Sequence, residues 1–189
     1  MLTGERIIMM KRLSGFFLVI LIALCLVACQ PSGPGQFEHP AFSFTYPTNW
    51  QLMSELFENY QVGQDYYDLG MQEIVMVTSA RKPGESGAYF AVASAPLPAG
   101  SDLETVFHQT YAGIADQLRD VSEQTMRLGE QQAYSITYQR PWGEPWWQFR
   151  DVWLENDGTI YLLSFHAAPA RFENSLDQFE TILNQFILK

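Results

Sequence analysis

The stretch WWQFRDVWLENDGTIYLLSFHA, Trp146–Ala167, is two runs of strand-forming residues hinged on Asn156-Asp157-Gly158. Aromatic and β-branched residues fill both runs, and the Asn-Asp-Gly hinge tolerates the positive φ angles that a tight hairpin turn demands. The segment therefore reads as an antiparallel hairpin of Trp146–Glu155 with Thr159–Ala167. Trp147, Phe149 and Trp153 share one parity, hence one face of the sheet. Downstream, Phe172, Leu176, Phe179, Ile182, Leu183 and Phe186 recur at helical spacing and predict a closing helix. Upstream, Thr125–Glu130 and Gln132–Arg140 read as strands. Before them, Ser101-Asp102-Leu103-Glu104 has the S-x-x-E form of a capping box and opens a helix striped by Leu103, Val106, Phe107, Tyr111, Ile114 and Leu118. Gln72–Ser79 and Ala88–Ala95 form a second hairpin across the turn-rich Arg81–Gly87. Ala41–Tyr46 alternates, with Phe42, Phe44 and Tyr46 on one face, until Pro47 stops it. The sum is an α+β fold: an α/β/α sandwich with a central, mostly antiparallel sheet flanked by helices.

The first 28 residues stand apart. Arg6, Lys11 and Arg12 precede an unbroken apolar run, Phe16–Ala28, the order of a secretory signal. As a helix that run spans about 20 Å, short of the roughly 30 Å of a bilayer core, so a signal is favoured over a lasting span. Met10-Lys11-Arg12 makes a more typical start than Met1. Leu26-Val27-Ala28-Cys29 resembles a bacterial lipobox, whose Cys is acylated, as with palmitate, and becomes the mature N-terminus. Gln30–Gly35 is uncharged and rich in Pro and Gly, which suits a tether. The expected organisation is a lipoprotein signal peptide at 1–28, a flexible tether at 29–36 and one domain at 37–189.

The chain has 189 residues, of which 47% are apolar and 14% aromatic, enough to bury a core and to exclude general disorder. Its 11 basic residues face 21 acidic ones, a net charge of −10 that repels a phosphate backbone and excludes nucleic acid as a partner. Loss of residues 1–28 removes three positive charges and one negative (Glu5), leaving 8 basic and 20 acidic residues, a net −12. Of the two cysteines, Cys25 leaves with the signal and Cys29 carries lipid. No thiol then remains for a disulfide, a metal or catalysis.

Patterns for chemistry are missing. There is no G-x-S-x-G or S-x-x-K, and His39, His108 and His166 are scattered. Zinc-type spacing and phosphate-cradling glycine loops are also absent from the sequence. Asp65, Asp68 and Glu73 cluster around Gly63 and Gly70, and Glu155, Asn156 and Asp157 share a turn. Neither group completes a calcium loop, so a hydrated acidic loop is the plainer reading and calcium the one cofactor left open. For partner binding, the loop Arg140–Trp147 holds Trp142 and Trp146 between two prolines and a glycine, where a tryptophan can face solvent. The alternative is that both rings fold over the sheet edge. A second candidate surface is Glu58–Asp68, with Tyr60, Tyr66 and Tyr67 among acids.

Phe44-Thr45-Tyr46-Pro47-Thr48-Asn49-Trp50 resembles the F-x-Y/I-P-x-x-W signature near the start of PsbP-like proteins. The strand Tyr161–Ala168 followed by a helix closing on Phe186-Ile187-Leu188 is similar to that family's ending. The family includes the extrinsic proteins of photosystem II, bacterial lipoproteins of unknown role and, by fold, a nuclear transport factor that binds a small GTPase. The resemblance covers residues 37–189 and implies a central antiparallel sheet between helices, with Phe44, Tyr46 and Trp50 as core anchors. It transfers no ligand set and no catalytic residue. The expected function is a non-catalytic lipoprotein, anchored in a bacterial membrane and facing away from the cytoplasm, that binds or steadies an envelope or membrane-complex protein. The alternatives are a small-ligand or carbohydrate-binding lipoprotein and an envelope hydrolase built on a carboxylate pair.

Overall fold

The computed structural model describes residues 33–57, 65–66, 70–82, 85–141 and 146–189. Eleven strands lie in this part: β1 (Gly35–Glu38), β2 (Phe42–Tyr46), β3 (Gln51–Leu52), β4 (Asp65–Tyr66), β5 (Met71–Thr78), β6 (Ala88–Pro96), β7 (Arg119–Leu128), β8 (Gln131–Pro141), β9 (Trp146–Asn156), β10 (Thr159–Ala167) and β11 (Ile187–Leu188). Three α-helices join them: α1 (Met53–Leu56), α2 (Leu103–Ala112) and α3 (Pro169–Asn184). An eight-stranded sheet runs β3-β5-β6-β10-β9-β8-β7, with β4 also on β5, and a three-stranded sheet runs β1-β2-β11. Every pairing among these strands is antiparallel, so the α+β class and the central antiparallel sheet hold.

The hairpin of β9 and β10 forms as the turn chemistry requires: Asn156 pairs Thr159, and Asp157 and Gly158 both take positive φ, 50° and 73°. Its strands are central because both faces are apolar. Leu163 and Phe165 of β10 meet α3 and the small sheet, where Phe42, Phe44, Phe172 and Phe179 form one core. Ile160 and Leu162 meet α2, whose Leu103, Val106, Phe107 and Tyr111 form the other with Ile136 and Trp153. Trp50 is 4% exposed, stacks on Phe165 and donates through Nε1 to Gln178 Oε1 at 2.8 Å, and Phe44 and Tyr46 are buried too, so the aromatic positions of the signature are core.

Several boundaries differ from expectation. The cap of α2 is Asp102, not Ser101: Asp102 Oδ1 accepts from Thr105 N at 2.7 Å, while Glu104 accepts from the Tyr134 hydroxyl at 3.0 Å. The helix ends at Ala112, and Ile114 and Leu118 flank a separate 3₁₀ turn at Ala115–Gln117. Strand β7 then starts at Arg119, six residues earlier than its side-chain pattern suggests, because its first seven residues are exposed and carry no apolar alternation. The hairpin glycine Gly129, at φ 60°, closes β7 before Glu130. Strand β1 takes Gly35 and Gln36 from the expected tether, and the Tyr46 ring lies where a Cβ on Gly35 would stand.

Candidate functional site

Strict alternation along β9 sends Trp147, Phe149, Asp151 and Trp153 to the face that carries α2. Asp151 is completely buried there. The hydroxyls of Tyr111 and Tyr138 both donate to its Oδ2, at 2.6 and 2.9 Å, and Trp153 Nε1 donates to the Tyr111 oxygen at 2.9 Å. Burial of a carboxylate is tolerable only with such donors, and the cluster latches α2 to the sheet. It is closed to solvent, with Trp153 fully buried and Tyr138 1% exposed, so it acts as structure.

Along the same face, toward the start of β9, lies a second cluster of rings, in which His166 and Phe149 are buried while Tyr89 and Trp147 are partly exposed. His166 of β10 stacks against Tyr89 of β6 (5.4 Å, 11°) and against Phe149 (5.1 Å, 21°), and Trp147 lies 5.7 Å from Tyr89. Register explains the grouping: His166 pairs Tyr89 on one side and Phe149 on the other. Burial pushes His166 down to about 3, so its imidazole is neutral at ordinary pH and serves as a flat packing surface rather than a proton carrier. Above these rings lies a cavity of about 280 Å³, walled by Leu56, Phe57, Tyr89 and Trp147 and rimmed by Lys82 and Glu85.

Two of the cavity's lining residues, Phe57 and Trp147, are far apart in sequence. Phe57 immediately precedes the Glu58–Asp68 stretch, and Trp147 closes the Arg140–Trp147 loop. Trp142, Tyr67 and Asp68 lie outside the described residues. Tyr66 and Asp65 are placed by backbone alone, pairing Met71 and Gln72. Trp146 is half-buried on the opposite parity from Trp147, with the Arg119 guanidinium 3.8 Å over its ring, so it is held against the sheet end by a cation–π contact. Tyr89 and Phe57 escaped sequence reading, because only the β6–β10 register brings Tyr89 beside His166.

The acids are committed elsewhere. Glu73 of β5 is 3% exposed, opposite Ala93 of β6. At the β9–β10 turn, Asp102, Glu104, Glu155 and Asp157 border an open cleft, but Glu155 accepts from Gly158 N at 2.7 Å, Asp102 caps α2 and Glu104 holds Tyr134. Among the described residues no three His, Cys, Asp or Glu side chains are placed to hold a metal ion. His108 is exposed, 3.5 Å from Glu123. No described helix is long and apolar enough to cross a membrane.

The two-layered sheet, with one helix closing the chain and another on the opposite face, is a PsbP-like fold. Solved structures share it. The cyanobacterial PsbP (CyanoP) of Synechocystis superposes with a TM-score of 0.55 at 14% identity, over 85% of this chain and 95% of that one. LpqN, described as involved in cell envelope biogenesis of Mycobacterium tuberculosis, gives 0.53 at 11% identity, over 82% and 91%. A protein of unknown function from Pseudomonas aeruginosa, PA94, gives 0.51 at 10%, over 81% and 95%. No family model and no curated protein matches the chain in sequence. At these identities the likeness is one of fold.

Proposed function

We propose that this chain is a non-catalytic lipoprotein, anchored outside the cytoplasm by an acylated Cys29, that docks an envelope or membrane-complex protein through the aromatic end of its sheet. The observation that supports the reading is the cavity walled by Phe57, Tyr89 and Trp147, two of which border the aromatic segments in sequence. Aromatic side chains around a pocket are the usual anchors of protein interfaces. LpqN, which shares the fold, is described as serving envelope biogenesis, and that agrees with such a role. The non-catalytic part rests on the neutral, buried His166 and on carboxylates engaged in local hydrogen bonds. A small apolar or carbohydrate ligand is the second reading, favoured by the aromatic walls of the same cavity.

The test is affinity capture from solubilised membranes with the wild-type chain, Trp142→Ala and Phe57→Ala. A hot-spot truncation costs about 2 kcal/mol or more, roughly thirtyfold in affinity, so specific partners should be lost by one or both variants while melting curves stay close to wild type. Recovery of the same partners at wild-type yield by both variants would sink the docking reading. A rise in melting temperature on adding a sugar or small apolar compound, absent in Phe57→Ala, would favour the ligand reading.

A further inference from the structure

Strand β7 ends the eight-stranded sheet: β8 pairs one side of it, and among the described residues nothing pairs the other. Edges of this kind are normally blunted by a bulge or by charge, since their free N–H and C=O groups invite another strand. Here the blunting is local. A register shift between Arg119 and Ser122, with Asp120 at φ 50°, bends the first three residues away. From Ser122 to Leu128 the pairing with β8 is regular and the strand is largely exposed. That stretch has two charges, Glu123 and Arg127, four residues apart and so on one face with Thr125 between them.

Opposite charges placed symmetrically about a central residue define one antiparallel self-pairing. With Thr125 opposite Thr125 of a second copy, each Glu123 faces Arg127 of the partner copy, twice over. On the other face Gln124 meets Met126, and Ser122 meets Leu128, which extends cover over two half-buried apolar side chains. Moving the axis to Glu123 or to Arg127 puts like charges against each other, and moving it by one residue leaves both charges facing neutral partners. Cross-strand opposite charges stabilise and like charges destabilise, so the pattern selects this register. Arg127 already gives one N–H to the Glu130 carbonyl, which leaves the rest of its fork for a carboxylate. Glu123 lies 3.5 Å from His108, and its side chain is 43% exposed, so a second partner can reach it.

We propose that β7 is a self-recognition edge: two copies of this chain pair antiparallel through Ser122–Leu128 about a two-fold axis at Thr125, joining their sheets. The surface is distinct from the aromatic cavity, so it stands whether or not that cavity binds a protein.

The experiment is cysteine cross-linking of the full-length chain in its membrane, with the wild-type chain as baseline for Cys25 and Cys29. Directly opposed residues of an antiparallel pair have Cα atoms about 4.5–5.5 Å apart, within disulfide range, so Thr125→Cys should give a covalent dimer under mild oxidation. Ser122→Cys should not, because the two copies of that position lie about 20 Å apart in this register. In the Thr125→Cys background, Glu123→Arg or Arg127→Glu alone should lower the dimer yield about fivefold, and the two together should restore it. No dimer from Thr125→Cys, equal yields from Thr125→Cys and Ser122→Cys, or failure of the double reversal to restore would each overturn the proposal. So would cross-linking of Thr125→Cys to a different protein instead of to itself. Retention of the wild-type melting curve by each variant keeps a folding defect from imitating these outcomes.

Discussion

His166 is the residue whose environment departs furthest from what its sequence position suggests. It lies in a strand of apolar neighbours, stacked between Tyr89 and Phe149 and 2% exposed, and burial holds its ionisation near 3 instead of the usual 6.5. The folded state therefore resists a proton that the unfolded state accepts. Stability from this group is complete above about pH 6.5 and declines as pH falls toward 3, by up to ~1.4 kcal/mol per pH unit. Denaturant unfolding at pH 7 and pH 5 should show the loss in the wild-type chain and a flatter dependence in His166→Phe, and equal slopes would refute this account. Trp50 is the converse case, legible at once from the F-x-Y-P-x-x-W run and buried as expected. Trp50→Ala should cost roughly 3–5 kcal/mol in the same measurement, and an unchanged curve would mean an exposed ring. Asp151 gave a quieter signal, an acid on the same parity as Trp147, Phe149 and Trp153. Its partners Tyr111 and Tyr138 were unreadable because they come from α2 and β8.

At the scale of elements, sequence reading succeeded wherever local chemistry and burial agree. The β9–β10 hairpin, the β5–β6 hairpin and α3 have apolar patterns that match their packing. It failed where an element is short or faces solvent. Strands β1, β3, β4 and β11 have two to four residues each and exist through pairing with a neighbour, and the start of β7 has no apolar parity. The S-x-x-E motif misled by one residue: the Asp102 carboxylate, an anion at the positive end of the helix, accepts from the Thr105 N–H, one position beyond the Glu104 N–H that a Ser101 cap would take. That same hydrogen bond holds the Asp102 carboxyl below its ordinary range. Its cap is in force above the unfolded value and is lost as pH falls through the folded one. Asp102→Ala should lower the melting temperature at neutral pH and converge with wild type in acid, whereas Ser101→Ala should change little at either pH. A larger loss from Ser101→Ala would return the cap to that residue.

For the whole molecule, the acidic body and its proposed anchor work against each other. Cys29 is six residues from the start of β1, a reach of at most about 20 Å, between two and three Debye lengths of about 8 Å at physiological salt. A body of net −12 gains nothing from an anionic surface at that distance, and the Lys189 ammonium, among the few basic groups near β1, is tied to Glu38 at 2.6 Å. On the proposed reading, attachment rests on acyl chains rather than on charge, and several chains hold a protein durably where one does not. Mass spectrometry of the membrane-bound protein should find an acylated N-terminal Cys29 peptide. Cys29→Ser removes the acceptor without altering the charge, so any of it that is processed should partition into the aqueous phase of a detergent extraction at both low and high salt. Persistence on the membrane through a high-salt wash, with residues 16–28 still attached, would show that the apolar run itself is the anchor. Release by high salt alone would instead point to an electrostatic contact that this charge balance forbids.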